Sequence, residues 1–291
     1  MKILITGARG TFATGLIPRL AVDGHELVLF DLEPMGAPEG STAIQGDIRD
    51  AGLVTHITQG CDAVVHAAAL HSTARDNRNY DDCYSVNVTG LHNVLRAMSL
   101  NGVKAIVYSS CDAVYGDGSR GHLVIDETTP TLPVNFYAET KLLGEEMLRF
   151  YARKSGVRCA ALRYGRFVSA DWRTEGLARL NNGLDREDVA QANQLALGAV
   201  MEEGFGFEVF QIQSAKPFVE TDWPTLTTDP EKILEFYYPG STQLLHDNDL
   251  RVPYVHHRYD ITKAITQLGY DPQNNFEQFL SRLRAEGRHH F

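Results

Sequence analysis

Tyr137 and Lys141 stand four residues apart in Tyr-Ala-Glu-Thr-Lys, just after a turn-rich stretch. On a helix that spacing puts both side chains on one face, about one turn apart. A nearby ammonium favours the phenolate form of a tyrosine. A tyrosine tuned in this way takes and returns a proton near neutral pH, as oxidation of an alcohol to a ketone requires. Tyr137 is therefore expected to be the acid and base, with Lys141 lowering its pKa. Alone the pair is a weak signal, because Tyr-x-x-x-Lys arises by chance on many surface helices.

A second, independent signal opens the chain. The β-rich run Ile3-Leu4-Ile5 ends at Thr6, and Gly7 and Gly10 lead into the apolar-periodic residues Phe12, Leu16, Ile17 and Leu20. Strand, glycine-rich turn and helix N-terminus make a pyrophosphate cradle, since glycines let backbone N–H groups approach and the helix dipole favours an anion. The segment Gly7, Arg9, Gly10, Thr11 and Phe12 is expected to hold that pyrophosphate, and Ala13 is small enough for close helix–strand packing. Asp31 follows a second strand-like run, Leu27–Phe30, roughly twenty residues beyond the glycines. There a carboxylate accepts from a ribose 2′-hydroxyl and repels a 2′-phosphate. NAD is expected over NADP. Arg9 dissents, because a cation beside Gly10 suits a 2′-phosphate.

The elements that must position these groups alternate. Strand-like runs at Ile3–Ile5, Leu27–Phe30, Ala63–His66, Ala105–Tyr108 and Cys159–Leu162 are separated by helical stretches near Ala13–Val22, Tyr84–Leu100 and Tyr137–Lys154. Gly24, Gly102 and Gly156 fall where helix C-caps are expected. Buried strands alternating with helices predict an α/β fold, a Rossmann-type doubly wound parallel sheet. Beyond Arg163 the rhythm loosens into a helical stretch at Asp185–Gly198, a strand-like run at Glu208–Gln213 and short helices near Ile261–Leu268 and Phe276–Glu286. We read residues 1–165 as the NAD-binding domain and 166–291 as a smaller substrate-binding lobe packed on it, without a core of its own.

The 291 residues carry a net charge of -10 and no long basic run, so nucleic acid is not an expected partner. No apolar segment is long enough for a signal peptide or a membrane span. Cys61, Cys83, Cys111 and Cys159 are scattered, without metal-ligand spacing, and His289 and His290 are too few for a metal site. Reduced thiols and a cytoplasmic location are expected.

Taken in order, the motifs resemble the extended short-chain dehydrogenase/reductase family, in its NAD-dependent epimerase/dehydratase branch. The matching pieces are Thr-Gly7-x-x-Gly10-x-x-Ala13, Asp31, Gly-Asp47-Ile48, His66-Ala-Ala-Ala69, Asn87-Val-Thr-Gly90, the run from Ser109 to Gly116, Tyr137-x-x-x-Lys141 and Leu-Arg163-Tyr164. The resemblance implies that Asp47 and Ile48 flank the adenine. It places Ala67 and Ala68 beneath the nicotinamide ribose and Tyr164 beside the nicotinamide, and has Asn87 order the site. It further implies a homodimer paired through the helices near Tyr84–Leu100 and Tyr137–Lys154.

One departure from the family pattern matters. The catalytic hydroxyl that sits four residues before the tyrosine of Val-Tyr-Gly is replaced here by Cys111, with Ser110 adjacent. A thiol is a much weaker donor than a hydroxyl. Either Cys111 substitutes at reduced strength, or Ser110 moves in, or the substrate compensates. The next residues are Asp112-Ala113, whereas the family's 4,6-dehydratases carry Asp-Glu; the missing second carboxylate disfavours water elimination.

Substrate contacts are expected from His71 and Ser72, after the Ala63–His66 strand, and from Asp112, Arg166 and Arg173, with Arg179 as an alternative cation. Three readings follow. One is an NAD-dependent oxidoreductase or epimerase acting by hydride transfer at a secondary alcohol of a sugar or nucleotide-sugar. Another is a dehydrogenase of a uronate or free sugar, which the stretch before Gly183-Leu-Asp-Arg-Glu-Asp188 loosely resembles. The third is a non-catalytic dinucleotide sensor, disfavoured by the intact Tyr137/Lys141 pair.

Overall fold

A computed structural model describes residues 1–11, 13–71, 80–167 and 171–287. Phe12, Ser72, His289 and His290, each named above, lie outside the described residues.

The chain runs β1 (Lys2–Thr6), α1 (Ala13–Val22), β2 (Glu26–Asp31), β3 (Thr42–Gln45), α2 (Ala51–Ile57), β4 (Ala63–His66) and α3 (Tyr80–Tyr84). A π-turn, Ser85–Thr89, leads into α4 (Gly90–Asn101), β5 (Ala105–Cys111), β6 (Val124–Ile125), α5 (Phe136–Ser155) and β7 (Arg158–Tyr164). Then come α6 (Trp172–Ala178), α7 (Arg186–Met201), β8 (Phe207–Ile212), α8 (Trp223–Leu226), α9 (Pro230–Tyr237) and α10 (Ser241–Asp247). The chain closes with β9 (Arg258–Tyr259), α11 (Thr262–Leu268) and α12 (Phe276–Gly287).

Seven parallel strands form one sheet in the order β3-β2-β1-β4-β5-β7-β8. The order reverses between β1 and β4, and in such sheets ligands bind outside the carboxyl ends of the strands at the reversal. Strands covered on both faces must be largely apolar, as Ala63-Val64-Val65 and Ile3-Leu4-Ile5 are. One face packs Leu16, Val189 and Ala264, from α1, α7 and α11. The other packs Val54, Leu95 and Leu148, from α2, α4 and α5. Gly24, Gly102 and Gly156 all take the positive φ expected of them.

Two readings are corrected. The sheet takes its seventh strand from Phe207–Ile212, so the boundary expected at residue 165 separates β7 from β8 rather than two layers. The later residues do have a core of their own, built from Trp223, Phe218, Leu234, Leu245, Phe276 and Leu283. The helical stretch expected over Tyr84–Leu100 is present, with one π-wound turn that carries Asn87. Among the described residues no helix is long and apolar enough to cross a membrane.

Candidate active site

The glycine-rich turn is shaped by a close approach. Gly7 has φ of +70°, and a Cβ there would lie 2.6 Å from the Ala68 backbone nitrogen. Only glycine combines that conformation with that proximity. Gly7 and Ala8 N–H donate to the Phe30 carbonyl at 2.9 and 3.2 Å, and Gly10 N–H donates to the Gly7 carbonyl at 2.9 Å. Beside the turn, Thr6 Oγ1 meets the buried His66 Nδ1 at 2.8 Å and accepts from Ala68 N–H at 3.3 Å. Burial pushes His66 down to about 3, so it holds β1 to β4 as a neutral ring.

Asp31 ends β2 next to this turn. Its carboxylate accepts from Arg9 N–H at 2.9 Å and Glu33 N–H at 3.1 Å. The Arg9 guanidinium pairs with Glu33 at 3.8 Å. Asp47 is clasped by Arg49 at 2.6 to 3.0 Å, and these hydrogen bonds hold its carboxyl below the usual range. Gly7, Asp31, Asp47, Ile48 and Ala68 line one recess of about 180 Å³. The cradle at Gly7 and the carboxylate at Asp31 fit a dinucleotide bound at its pyrophosphate and a ribose.

The adjoining cleft is larger, about 770 Å³, and is lined by Gly7, Gly10, Thr11, Ala67, His71, Cys111, Asp112, Tyr137, Lys141, Tyr164 and Arg166. Asn135 caps α5 by accepting from Ala138 N–H at 2.9 Å, which starts the helix so that Tyr137 and Lys141 fall on the cleft side. The His71 ring packs 4.2 Å from the Tyr137 ring. Lys141 is buried, and its ammonium donates to the Ser109 carbonyl at 2.8 Å.

Lys141 also stands beside Tyr137. The ammonium lies 5.6 Å from the Tyr137 ring centre and points to Ser109. Burial governs both groups, raising the Tyr137 phenol far above its ordinary value and pushing Lys141 down to about 8.

Ser110 lines the cleft too. Its hydroxyl donates to Glu145 Oε1 at 2.6 Å, and Arg163 grips the same carboxylate at 3.0 and 2.7 Å. Alternation along β5 turns Ser110 to the α5 side while Cys111 sits at the strand's carboxyl end. Cys111 lines the cleft at that end, with its thiol pushed up to about 12 by burial.

Asn87 is a strut. Its amide donates to Leu70 O, Cys83 Sγ and Thr140 Oγ1 at 3.0, 3.3 and 2.9 Å, and its carbonyl accepts from Leu70 N–H at 2.7 Å. These bonds tie the segment after β4 to α3 and α5. The buried Tyr164 phenol faces Ser109 and Asn193.

Asp112 accepts from Asn182 Nδ2 at 2.9 Å and Gln213 Nε2 at 3.3 Å. Enclosure raises it to about 6. Arg166 is exposed at the cleft. Arg173 is not brought into the site. Asp171 caps α6, and the guanidinium lies 5.6 Å from the Trp172 ring centre, outside the residues that line the cleft. Arg179 is taken up by Asp185 at 2.7 Å. Asn182 and Gln213 were missed from sequence; no spacing links them to Asp112.

The pattern of the NAD dependent epimerase/dehydratase family matches residues 3–181. The UDP-glucose 4-epimerase of Halalkalibacterium halodurans is 35% identical over 176 residues, 59% of this chain and 52% of that protein. The chain spans about half the length of the curated relatives it matches. Among solved structures, a short-chain dehydrogenase/reductase superfamily protein from Agrobacterium tumefaciens with bound NAD superposes with a TM-score of 0.76 at 21% identity, covering 99% of this chain and 98% of that one. Uronate dehydrogenase from the same organism gives 0.70 at 21% identity, covering 98% and 89%. At those identities the likeness establishes the fold alone. The chain belongs to the NAD-dependent epimerase/dehydratase family.

Proposed function

We propose that this family member is an NAD-dependent enzyme that oxidises a secondary alcohol of a sugar or nucleotide-sugar, with Tyr137 as acid and base. The observation that carries the reading is that Tyr137, Lys141 and Cys111 line the same cleft as Gly7, Gly10 and Thr11. The turn from Gly7 to Thr11 would hold the pyrophosphate, Asp31 a ribose, Ile48 and Asp47 the adenine, and Lys141 the nicotinamide ribose. When bound, NAD supplies a hydride acceptor. Tyr137 takes the hydroxyl proton as the carbonyl forms and returns it on reduction. Cys111 donates weakly to the substrate oxygen. Asn87 and Asn135 hold the segments that carry Leu70 and Tyr137.

NAD is favoured over NADP, because Asp31 would repel a 2′-phosphate and Arg9 is paired with Glu33. Titration of the protein with both nucleotides tests this; equal or tighter NADP binding contradicts it. A homodimer belongs to the same proposal, since α4 and α5 expose Leu100, Leu143 and Phe150.

The second reading, a uronate or free-sugar dehydrogenase, is favoured by a lobe after β8 whose described residues form short helices and one short strand. Absorbance at 340 nm separates the two. UDP-glucose converted without net NADH supports epimerisation, and stoichiometric NADH from glucuronic acid supports the dehydrogenase. Absence of turnover on both contradicts the proposal.

A further inference from the structure

Asp112 begins the turn that follows β5, lines the cleft beside Cys111 and is held there from two distant parts of the chain. Asn182, in the turn before α7, donates from Nδ2 to Asp112 Oδ2 at 2.9 Å. Gln213, just past the end of β8, donates from Nε2 to the same oxygen at 3.3 Å. The two residues are themselves fixed against the cleft wall. The Asn182 backbone carbonyl accepts from the N–H of the cleft residue Arg166 at 2.7 Å, and the Gln213 backbone carbonyl accepts from the Tyr270 hydroxyl at 3.2 Å. Both pack so closely on the cleft residue Gly165 that a Cβ there would collide with Gln213 Oε1 and with the Asn182 carbonyl.

Two donors on one oxygen fix the rotation of the carboxylate and leave Oδ1 without a side-chain partner among the described residues. An ionised carboxylate offers roughly four acceptor sites and no donor. The amides, with the N–H groups of Asp112 and Ala113, favour the charged form but offset its enclosure only in part. The group therefore stands at about 6 and is ionised at neutral pH. What it lacks is a further donor, and sugar hydroxyls are donors.

We propose that Asn182 and Gln213 lock Asp112 as the acceptor for one substrate hydroxyl away from the reacting carbon. Asp112 is then a specificity-determining residue, and the two amides are its positioning residues. The inference rests on the reading of this cleft as a carbohydrate site, in which Tyr137 and Cys111 take the reacting oxygen. A fixed acceptor selects by geometry. A hydroxyl aimed at Oδ1 gains a charge-assisted hydrogen bond, whereas a sugar without it leaves the enclosed carboxylate short of a donor. A carboxylate or phosphate of the substrate is repelled from the same point, which fixes the way round the sugar enters.

The experiment uses the full chain with NAD. Wild type is assayed on glucuronic acid by absorbance at 340 nm and on UDP-glucose by product analysis. The sugar that turns over is then compared with its monodeoxy analogues, each lacking one hydroxyl away from the reacting carbon. For one analogue, wild-type kcat/KM is expected to fall about tenfold to a hundredfold, mostly through KM, the scale of one hydrogen bond to a charged group. In Asp112→Ala the parent sugar falls to the level of that analogue, while the analogue itself changes less than about threefold, because the two deletions remove the same bond. Asn182→Leu and Gln213→Met, which keep size but lose the donor, each lose part of the preference for the parent sugar. If Gln213→Met does not fold, Asp112→Ala and Asn182→Leu decide. A wild type indifferent to every analogue overturns the inference, as does a preference that survives intact in Asp112→Ala. Equal losses on parent and analogue in Asn182→Leu mark a structural amide and overturn the positioning role. Failure of wild type on both sugars overturns the proposed function itself, and this subsite with it.

Discussion

Around Gly7 and Asp31 the molecule is made of backbone and half-exposed carboxylates, whereas around Tyr137, Lys141 and Asp112 it is made of enclosed ionisable side chains. The first region holds its geometry by a positive φ, a close approach to Ala68 and N–H donors to Asp31. Its ion pair, Asp47 with Arg49, is partly exposed. The second region moves Lys141 to about 8 and Asp112 to about 6 by burial. Binding a pyrophosphate needs only a shape that presents N–H groups. Moving a proton needs groups whose charged forms are disfavoured, and such groups require fixed partners. Those partners here are the Ser109 carbonyl, the amides of Asn182 and Gln213, and the buried Glu145–Arg163 pair beneath β5.

The comparison can be broken most forcefully at that pair. Glu145→Gln leaves Arg163 buried without its counter-charge and is expected to cost about 3–5 kcal/mol in denaturant unfolding. Asp47→Asn, in the exposed pair, is expected to be nearly silent in the same assay. Similar losses at both sites would remove the distinction between the regions.

Lys141 gives a smaller effect of opposite sign. Its drop from 10.5 to about 8 corresponds to roughly 3 kcal/mol spent on burying an ammonium at neutral pH. Lys141→Met should therefore lose turnover yet unfold at higher temperature at pH 7. Between about 8 and 10.5 the unfolded chain binds more protons than the folded one, so wild-type stability rises with pH in that window. The advantage of the Met variant is full below about pH 8 and fades by about 10.5. A Met variant less stable than wild type at pH 7 would show that the Ser109 hydrogen bond outweighs burial.

How much of this was legible in the sequence follows the same division. The dinucleotide region is local: Arg9 meets Asp31 across 22 positions, and glycines at fixed offsets announce the turn. The strands at Ile3–Ile5 and Ala63–Val65 were legible because these residues are apolar on both faces. Thr42–Gln45 was not, because it is a half-exposed edge strand. The substrate region is assembled at long range, with Asn182 and Gln213 reaching Asp112 across 70 and 101 positions. Ser110 was ambiguous because two adjacent hydrogen-bonding residues look alike until the distant Glu145 is seen to take the Ser110 hydroxyl. Arg173 was plausible until a helix cap turned it onto Trp172.

The smallest effect sharpens the second region. Cys111→Ala should lower kcat/KM a few-fold to about tenfold, the value of one neutral hydrogen bond. Cys111→Ser, a stronger donor of nearly the same size, should preserve or raise it. An inactive Ser variant would mean the thiol has chemistry of its own.

The central claim is that Tyr137 transfers the proton in a cleft whose other end holds the dinucleotide. Tyr137→Phe tests it most directly, with kcat and NAD affinity measured on the same preparation. The account predicts a fall in kcat of about a hundredfold or more with NAD binding intact. Retention of more than about a tenth of wild-type kcat, a barrier change under roughly 1.4 kcal/mol, would contradict it.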